Sequence, residues 1–524
     1  DVIASAESTH WKRAIDEEIE SLNENDTFRY VKRSSLPADV NIMDYRWLFR
    51  VKLNSSGKVE RYKARLVAKG FTQKEGIDYN ETFAPVVKYK SLRIILALAY
   101  MLNYELKQMD VITAFLNAKL DEDVYMHVPE GFNSSKGDVL KLNKSLYGTK
   151  QAPHMWNDAL NAFIVSIGFT RLASDTCVYV KRTVSGNMIV ISIFVDDIVS
   201  AYASVDEREW LVVKKLFLSK YKMKDLGDVS WILGMKLTRD RVKGVLSLDQ
   251  SLYLNKVLAR FNMLDCKPLP TPESTLKLTM HQCPTTDEQK AKMVDVPYES
   301  AVGSLLYAAI GTRPDIAHAV NGISKFMKNP GQAHWLAAKR ILRYIKGTVN
   351  KALVFTSKGI TGNELYVSAY SDADWAGDID DRRSTTGYVV RLGDSSVIWN
   401  TKKQKTISLS SAEAEYMALA SVTQEVKWVN QFLCELLLPC MKLSLCMSVY
   451  VDNQAAILIS KNDVYHDRTK HIDIRYHFIR NAIKSNLYKI EWVPTDKQLA
   501  DGFTKPLSTI TFTKLFASVM NQPP

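Results

Sequence analysis

Two adjacent aspartates, Asp196 and Asp197, sit inside the apolar run Ile189-Val-Ile-Ser-Ile-Phe-Val-Asp-Asp-Ile-Val199. A strand buried on both faces has no place for such a pair, because neighbouring carboxylates repel and each loses hydration on burial. The run therefore reads as two short strands, within Met188–Tyr202, joined at the Asp pair. Asp is also an ordinary turn residue, but no glycine accompanies this pair, and the flanks are β-branched and apolar. A third carboxylate, Asp110, stands in another apolar segment, Met109-Asp-Val-Ile-Thr-Ala-Phe-Leu116, read as a buried strand running into a turn. Taken singly, each segment fits a turn or a satisfied core residue as well as a site. Together they suggest a carboxylate cage for two divalent cations about 3.5–4 Å apart, the arrangement that clamps the attacking and leaving oxygens of a phosphoryl transfer.

A second acidic set lies later in the chain. Asp372 ends the strand-like run Leu365–Asp372, and Asp452 ends Ser448–Asp452. An aspartate in that place is often only a cap. The helix expected from Ser411 adds discrimination: Leu419, Val422, Val426, Val429 and Leu433 recur at three- and four-residue steps and mark its buried stripe. One step of four back from Leu419 is Glu415, whereas Glu413 points elsewhere. A carboxylate on a sheet-facing stripe is poorly explained by packing and well explained by strand-end aspartates that share a cation with it.

At 524 residues the chain is too long for one core, and about 100–200 residues per domain gives three or four units. A net charge of +12 favours a polyanionic partner. The six cysteines show no CxxC pair and no zinc spacing, which points to reduced thiols and an intracellular setting. No apolar run has membrane-spanning length, since the Asp pair interrupts the richest one. Other helices are expected at His10–Leu22, Lys88–Leu102, Tyr298–Gly311 and Trp335–Lys346. Hairpins are expected across Asn54–Gly57, between Tyr45–Leu53 and the basic run Arg61–Lys69, and across Gly393-Asp394, between Thr386–Leu392 and Ser396–Asn400. Prolines in Leu264–Pro272, with the polar text through Lys292, mark an extended linker, and Thr356–Glu364 is a second polar stretch.

The residues around the first set resemble the copia type of retrotransposon reverse transcriptase. Phe194-Val-Asp-Asp197 resembles that family's aromatic-x-Asp-Asp box. Arg61-Tyr-Lys-Ala-Arg-Leu-Val-Ala-Lys-Gly-Phe-Thr-Gln73, Tyr79–Val87, Gln108–Asn117 and Leu146-Tyr-Gly-Thr-Lys-Gln-Ala-Pro-His-Met-Trp156 accompany it in order. The one departure is Phe194, where the family more often has Tyr. The second set resembles a ribonuclease H: Tyr370-Ser-Asp-Ala-Asp-Trp-Ala-Gly377, Ser410–Leu419, Tyr450–Ala455, and Trp492–Leu507 with its late Asp501.

The resemblance implies an α+β right-hand polymerase of fingers, palm and thumb, followed by an α/β ribonuclease H-like domain. Residues 1–263 would be fingers and palm, 264–364 a linker and helical thumb or connection region, and 365–524 the nuclease. It implies that Asp110, Asp196, Asp197 and the Val111 carbonyl hold the polymerase metals, and that Asp372, Glu415, Asp452 and Asp501 hold those of the nuclease. Asp374 and Glu413 are the nearest rivals. Phe115 corresponds to a gate against the ribose hydroxyl, although as bare sequence it reads as a core aromatic. Lys63 and Arg65 fit either a triphosphate-gripping hairpin or a solvated basic strand face. Tyr147 and Gly148 match the loop that packs on nucleotide and template, and Lys222 or Lys224 the lysine of the next motif. Lys402–Lys405 and Lys470–His477 are candidate phosphate contacts, with His471 and His477 read as structural.

The implied cofactor is Mg²⁺, two ions per site, with Mn²⁺ as a substitute. The implied partners are an RNA template, a DNA primer, their hybrid, dNTPs and other parts of the same polyprotein, inside a cytoplasmic virus-like particle with a later nuclear stage. A start at Asp1 without Met suggests a piece of a longer polyprotein. The rival function is a catalytically inactive relic that only binds nucleic acid. Retention of costly carboxylates at every one of these positions argues against it.

Overall fold

A computed structural model describes residues 7–53, 58–438, 440–461 and 473–522. The first helix, Ser8–Glu24, buries Trp11, Ala14, Glu18 and Leu22 along one face. That face lies on the antiparallel hairpin of Tyr45–Leu53 with Val59–Ala68, whose connecting residues 54–57 fall outside the described set. A small sheet in the order Phe28–Lys32, Asp138–Lys144, Lys119–His127, Ile42–Met43 supports this region.

The sheet that carries the Asp pair has six strands, ordered Met223–Asp228, Glu105–Val111, Asp197–Tyr202, Met188–Phe194, Val178–Arg182, Thr170–Arg171, and every pairing in it is antiparallel. One face rests on helices Ala152–Ser166 and Glu207–Lys220 through Trp156, Leu160, Ile164, Trp210, Val213 and Phe217. Neither helix stands out in the sequence pattern. The other face receives helix Tyr89–Met101, in which every residue from Ser91 to Tyr100 is buried. A helix that is apolar all round belongs between two layers, and this one lies between two sheets.

The Pro-rich segment leaves and rejoins a single sheet. Strand Leu353–Thr356, which follows helices Tyr298–Gly311, Ala317–Ser324 and Gln332–Gly347, pairs with Val245–Asp249 from before the prolines. The segment expected as an extended linker is a strap held at several points. The Leu269 amide donates to the Arg343 carbonyl (3.3 Å), and the Met280 amide donates to Asp380 (2.9 Å). Short turns of helix, Met280–Gln282 and Asp287–Ala291, occupy its polar part.

The last sheet runs Ser395–Lys403, Thr385–Leu392, Glu364–Ala373, Ser444–Val451, Lys489–Trp492, with Ile360–Thr361 also paired to Glu364–Ala373. Its first three strands are antiparallel, and the last two run parallel to Glu364–Ala373. Helix Ser411–Leu437 packs on it through the expected stripe. Among the described residues no helix is long and apolar enough to cross a membrane.

Candidate active sites

Strand register assembles the first site. Asp197 and Asp110 are direct cross-strand partners, which places their side chains on one face. Asp196 occupies the turn before Asp197, and its carbonyl accepts from the Val111 amide (2.9 Å). The turn depends on Val195 adopting φ +59°, a costly conformation for a β-branched residue. The indole of the buried Trp156 donates to the Val195 carbonyl (2.7 Å) and fixes it there. Asp197 accepts from Gln108 Nε2 (2.7 Å), two residues before Asp110 on the same strand face. Sequence reasoning passed over Gln108, although strand alternation from Asp110 points to it.

Burial raises Asp197 to about 6, against the Gln108 hydrogen bond, and Asp110 and Asp196 add to the rise. Asp110 is raised for the same reason, with Asp196 adding to the rise and Lys52, Lys224 and Lys63 opposing it. Lys224 is the cross-strand partner of Asp110. Lys222 lies instead against Glu24 (3.3 Å).

Residues of the expected nucleotide grip gather nearby. The Arg65 guanidinium lies over the Tyr147 ring at 4.4 Å, and Phe115 meets the same ring edge-on at 5.0 Å. Tyr147 docks on the hairpin through its carbonyl, which accepts from the Ala68 amide (2.8 Å). Gly148 has φ +93°, and a Cβ there would lie 2.1 Å from the Ala68 carbonyl oxygen, so only glycine permits this approach. Burial, then Arg65 and Lys52, bring Lys63 down to about 8. Beneath the hairpin the buried Glu18 accepts from the Leu66 amide (3.2 Å).

The second site draws on four distant segments. Among the described residues, Asp372, Asp452 and Asp501 form a trio whose nearest carboxylate oxygens all lie within 4.8 Å of one another. Asp372, Asp501 and Glu415 are buried, at 3%, 7% and 6% exposure. Glu415 Oε2 is buried without a hydrogen-bond partner. Burial, then Asp372 and Asp452, hold Glu415 well above the usual carboxylate range. Burial and Asp372 also raise Asp452, and they bring Asp501 to about 7.

Three polar neighbours that the sequence reading did not single out surround the trio. The Thr504 hydroxyl donates to Asp372, Lys505 pairs with Asp501 (3.0 Å), and the Thr495 hydroxyl donates to Asp452 (3.0 Å). All of them lie in the text Trp492–Leu507, whose carboxylate alone had drawn attention.

The rivals have other work. Glu413 accepts from the Leu409 amide (2.8 Å) while its own amide donates to Ser410 Oγ (3.2 Å), so it closes a helix cap. Asp374 accepts from the Thr385 amide and braces the following loop. In the basic stretch Lys402–Lys405, Lys403 is paired with Asp378 and Asp381, each at 2.7 Å. Lys470 and His471 lie outside the described residues, and His477 is exposed on helix Asp473–Lys484.

A family profile described as reverse transcriptase (RNA-dependent DNA polymerase) matches residues 25–275. The chain is 45% identical over 510 residues to a retrovirus-related Pol polyprotein from transposon TNT 1-94 of Nicotiana tabacum, across 96% of this chain and 37% of that polyprotein. It is 34% identical over 322 residues to a transposon Ty5-1 protein of Saccharomyces cerevisiae, across 61% of this chain and 100% of that protein. Among solved structures, a foamy viral protease-reverse transcriptase in complex with RNA/DNA hybrid aligns over 95% of this chain and 55% of that one, at 12% identity and a TM-score of 0.42. The chain thus spans well under half the length of its polyprotein relatives.

Proposed function

The chain belongs to the reverse-transcriptase family of copia-type retrotransposon Pol polyproteins, and on that premise we propose that it is an RNA-directed DNA polymerase that also degrades the RNA of its hybrid product. Residues 1–263 are fingers and palm, 264–364 the connecting region, and 365–524 a ribonuclease H-like domain.

The observation that carries this reading is the presence of two separate carboxylate sets, each crowding more negative charge than its neighbouring lysines offset. The raised Asp110 and Asp197, and the raised Glu415, Asp452 and Asp501, fit a divalent cation such as Mg²⁺ held among them. The orphaned Glu415 Oε2 fits it as well. Asp110, Asp196, Asp197 and the Val111 carbonyl would hold it in the polymerase, and Asp372, Glu415, Asp452 and Asp501 in the nuclease. When bound, it supplies charge that stabilises developing negative charge in phosphoryl transfer.

The chain's own residues bind and orient the reactants. Lys63 and Arg65 receive the triphosphate of an incoming dNTP, with the Tyr147 ring holding the Arg65 fork in place. Tyr147 and Gly148 form a floor for nucleotide and template, and Phe115 closes the space beside the sugar. In the nuclease, Thr504 and Thr495 orient Asp372 and Asp452, and Lys505 neutralises part of the charge on Asp501. The partners are an RNA template, a DNA primer, their hybrid and other parts of the polyprotein, within a cytoplasmic virus-like particle.

The test is extension of a DNA primer on an RNA template with Mg²⁺, run beside release of labelled RNA from a hybrid. Template-dependent extension together with hybrid-specific release is the expected result. Tight hybrid binding without either reaction would replace this reading with that of an inactive nucleic-acid-binding relic.

A further inference from the structure

Helix Tyr89–Met101 carries a charged residue, Arg93, in the middle of its apolar run, and Arg93 is 5% exposed. A buried guanidinium is costly unless its donors are satisfied. The donors of Arg93 reach backbone carbonyls from two other parts of the chain. Nε donates to the Val397 carbonyl (2.7 Å) in the last sheet. Nη1 donates to the Ile310 and Gly311 carbonyls (2.7 and 3.0 Å) at the C-terminal end of helix Tyr298–Gly311. Such helix-end carbonyls lack intrahelical partners and carry the negative end of the helix dipole. The guanidinium also stacks over Trp399 at 3.9 Å, and the Trp399 indole donates to the Ala309 carbonyl (2.9 Å). One side chain thus joins the polymerase sheet's helix, the connecting helices and the nuclease sheet.

A second seam runs beside it. Helix Ser411–Leu437 turns its apolar stripe to its own sheet and presents Glu425, Trp428 and Glu435 along an adjacent face. Lys90 pairs with Glu425 (2.8 Å) and lies 3.8 Å over Trp428. The Trp428 indole donates to the Ser174 carbonyl (3.0 Å), and Ser174 Oγ donates to Glu435 (2.7 Å). Between the seams a single apolar core runs without a break from Val190 and Val199 through Leu92 and Leu96 to Val390 and Val397.

We infer that Arg93 is a positioning residue that locks the C-terminal domain directly onto the polymerase sheet, so that the two catalytic centres move as one body and the RNA cut falls at a fixed distance behind the primer terminus. The fixed position of the cut rests on the function proposed above. The lock itself rests on geometry alone.

The full chain tests both parts, in Arg93→Met, which fills the space without donors, and in Arg93→Lys, which keeps the charge without the fork. Calorimetry of the parent should show one cooperative unfolding transition. Arg93→Met should split it in two, and Arg93→Lys should fall between. On a primer–template stalled by omission of the next nucleotide, the parent should cut RNA in a narrow window. Arg93→Met should lose that window and cut over a spread of positions, while cleavage of a blunt hybrid stays unchanged. An unsplit transition with an unchanged window in Arg93→Met overturns the inference. If Arg93→Met does not fold, Lys90→Gln takes its place under the same two criteria. A parent chain that cuts no hybrid refutes the proposed nuclease, and the calorimetry still decides the lock.

Discussion

The two carboxylate centres are built in opposite ways. Asp110, Asp196 and Asp197 come from one hairpin turn and its neighbouring strand, and Asp110 and Asp197 face each other by register. Asp372, Glu415, Asp452 and Asp501 come from two strand ends, a helix and a late loop, and three of them are nearly inaccessible. The carboxylates of the first centre are half-buried, with Lys52, Lys63 and Lys224 near enough to offset part of the charge on Asp110. The second is closed and crowded, with Lys505 as its one paired cation among the described residues. Local strand pairing can place two acids on one sheet face by register alone. Bringing distant segments together requires a packed core beneath them, and burial of the carboxylates comes with it.

The sharpest way to break this comparison is to remove one carboxylate from each centre. Asp196→Asn should lower DNA synthesis by about a hundredfold or more while leaving RNA release from hybrid intact, and Asp452→Asn should do the reverse. Loss of both activities in either folded variant would mean that the centres are not independent.

A smaller effect separates their selectivity. Phe115 meets Tyr147 edge-on and follows Asp110 by five residues, so its proposed role lies with the first centre. Phe115→Val should raise the kcat/KM for ribonucleotides relative to deoxynucleotides by about tenfold and leave hybrid cleavage alone. Equal losses for both sugars would return Phe115 to the role of a core residue.

The smallest effect concerns stability. A carboxylate whose folded pKa is raised supports the fold fully only below its unfolded value, and that support is lost as pH rises through the folded pKa. Asp501 is raised to about 7 and Glu415 is raised as well, so the metal-free chain should lose stability between about pH 4 and pH 7. Mg²⁺ should recover a Tm gain on the order of a few degrees at pH 7.5 and less at pH 5, where protons compete for the same oxygens. Asp501→Asn should shrink that difference. Equal Mg²⁺ stabilisation at both pH values would contradict the crowding of the second centre.

Much of this was legible in the residues. The Asp pair inside an apolar run requires a turn between strands, and the structure places Met188–Phe194 and Asp197–Tyr202 on either side of it. The stripe through Leu419 and Val426 singles out Glu415, and Glu413 proves to be a cap. These readings succeed because side-chain direction in a strand or helix repeats with a fixed local period.

Other features depend on which segments meet, and no local period encodes that. Gln108, Thr504 and Lys505 matter through the carboxylate each one touches. Val195 takes its left-handed turn because Trp156, from a helix with no clear sequence signal, holds its carbonyl. The Pro-rich segment becomes a strap because Leu353–Thr356 returns to pair with Val245–Asp249. The charge of Arg93 looks like an interruption in an apolar helix until three parts of the chain close around it. Sequence by itself determined that the Asp pair stands at a turn between strands and that Glu415, not Glu413, lies on the buried stripe of its helix, since those follow from short-range geometry. Tertiary structure alone decided which of them converge, what satisfies them and how the two centres are joined, because those outcomes depend on long-range packing among segments hundreds of residues apart.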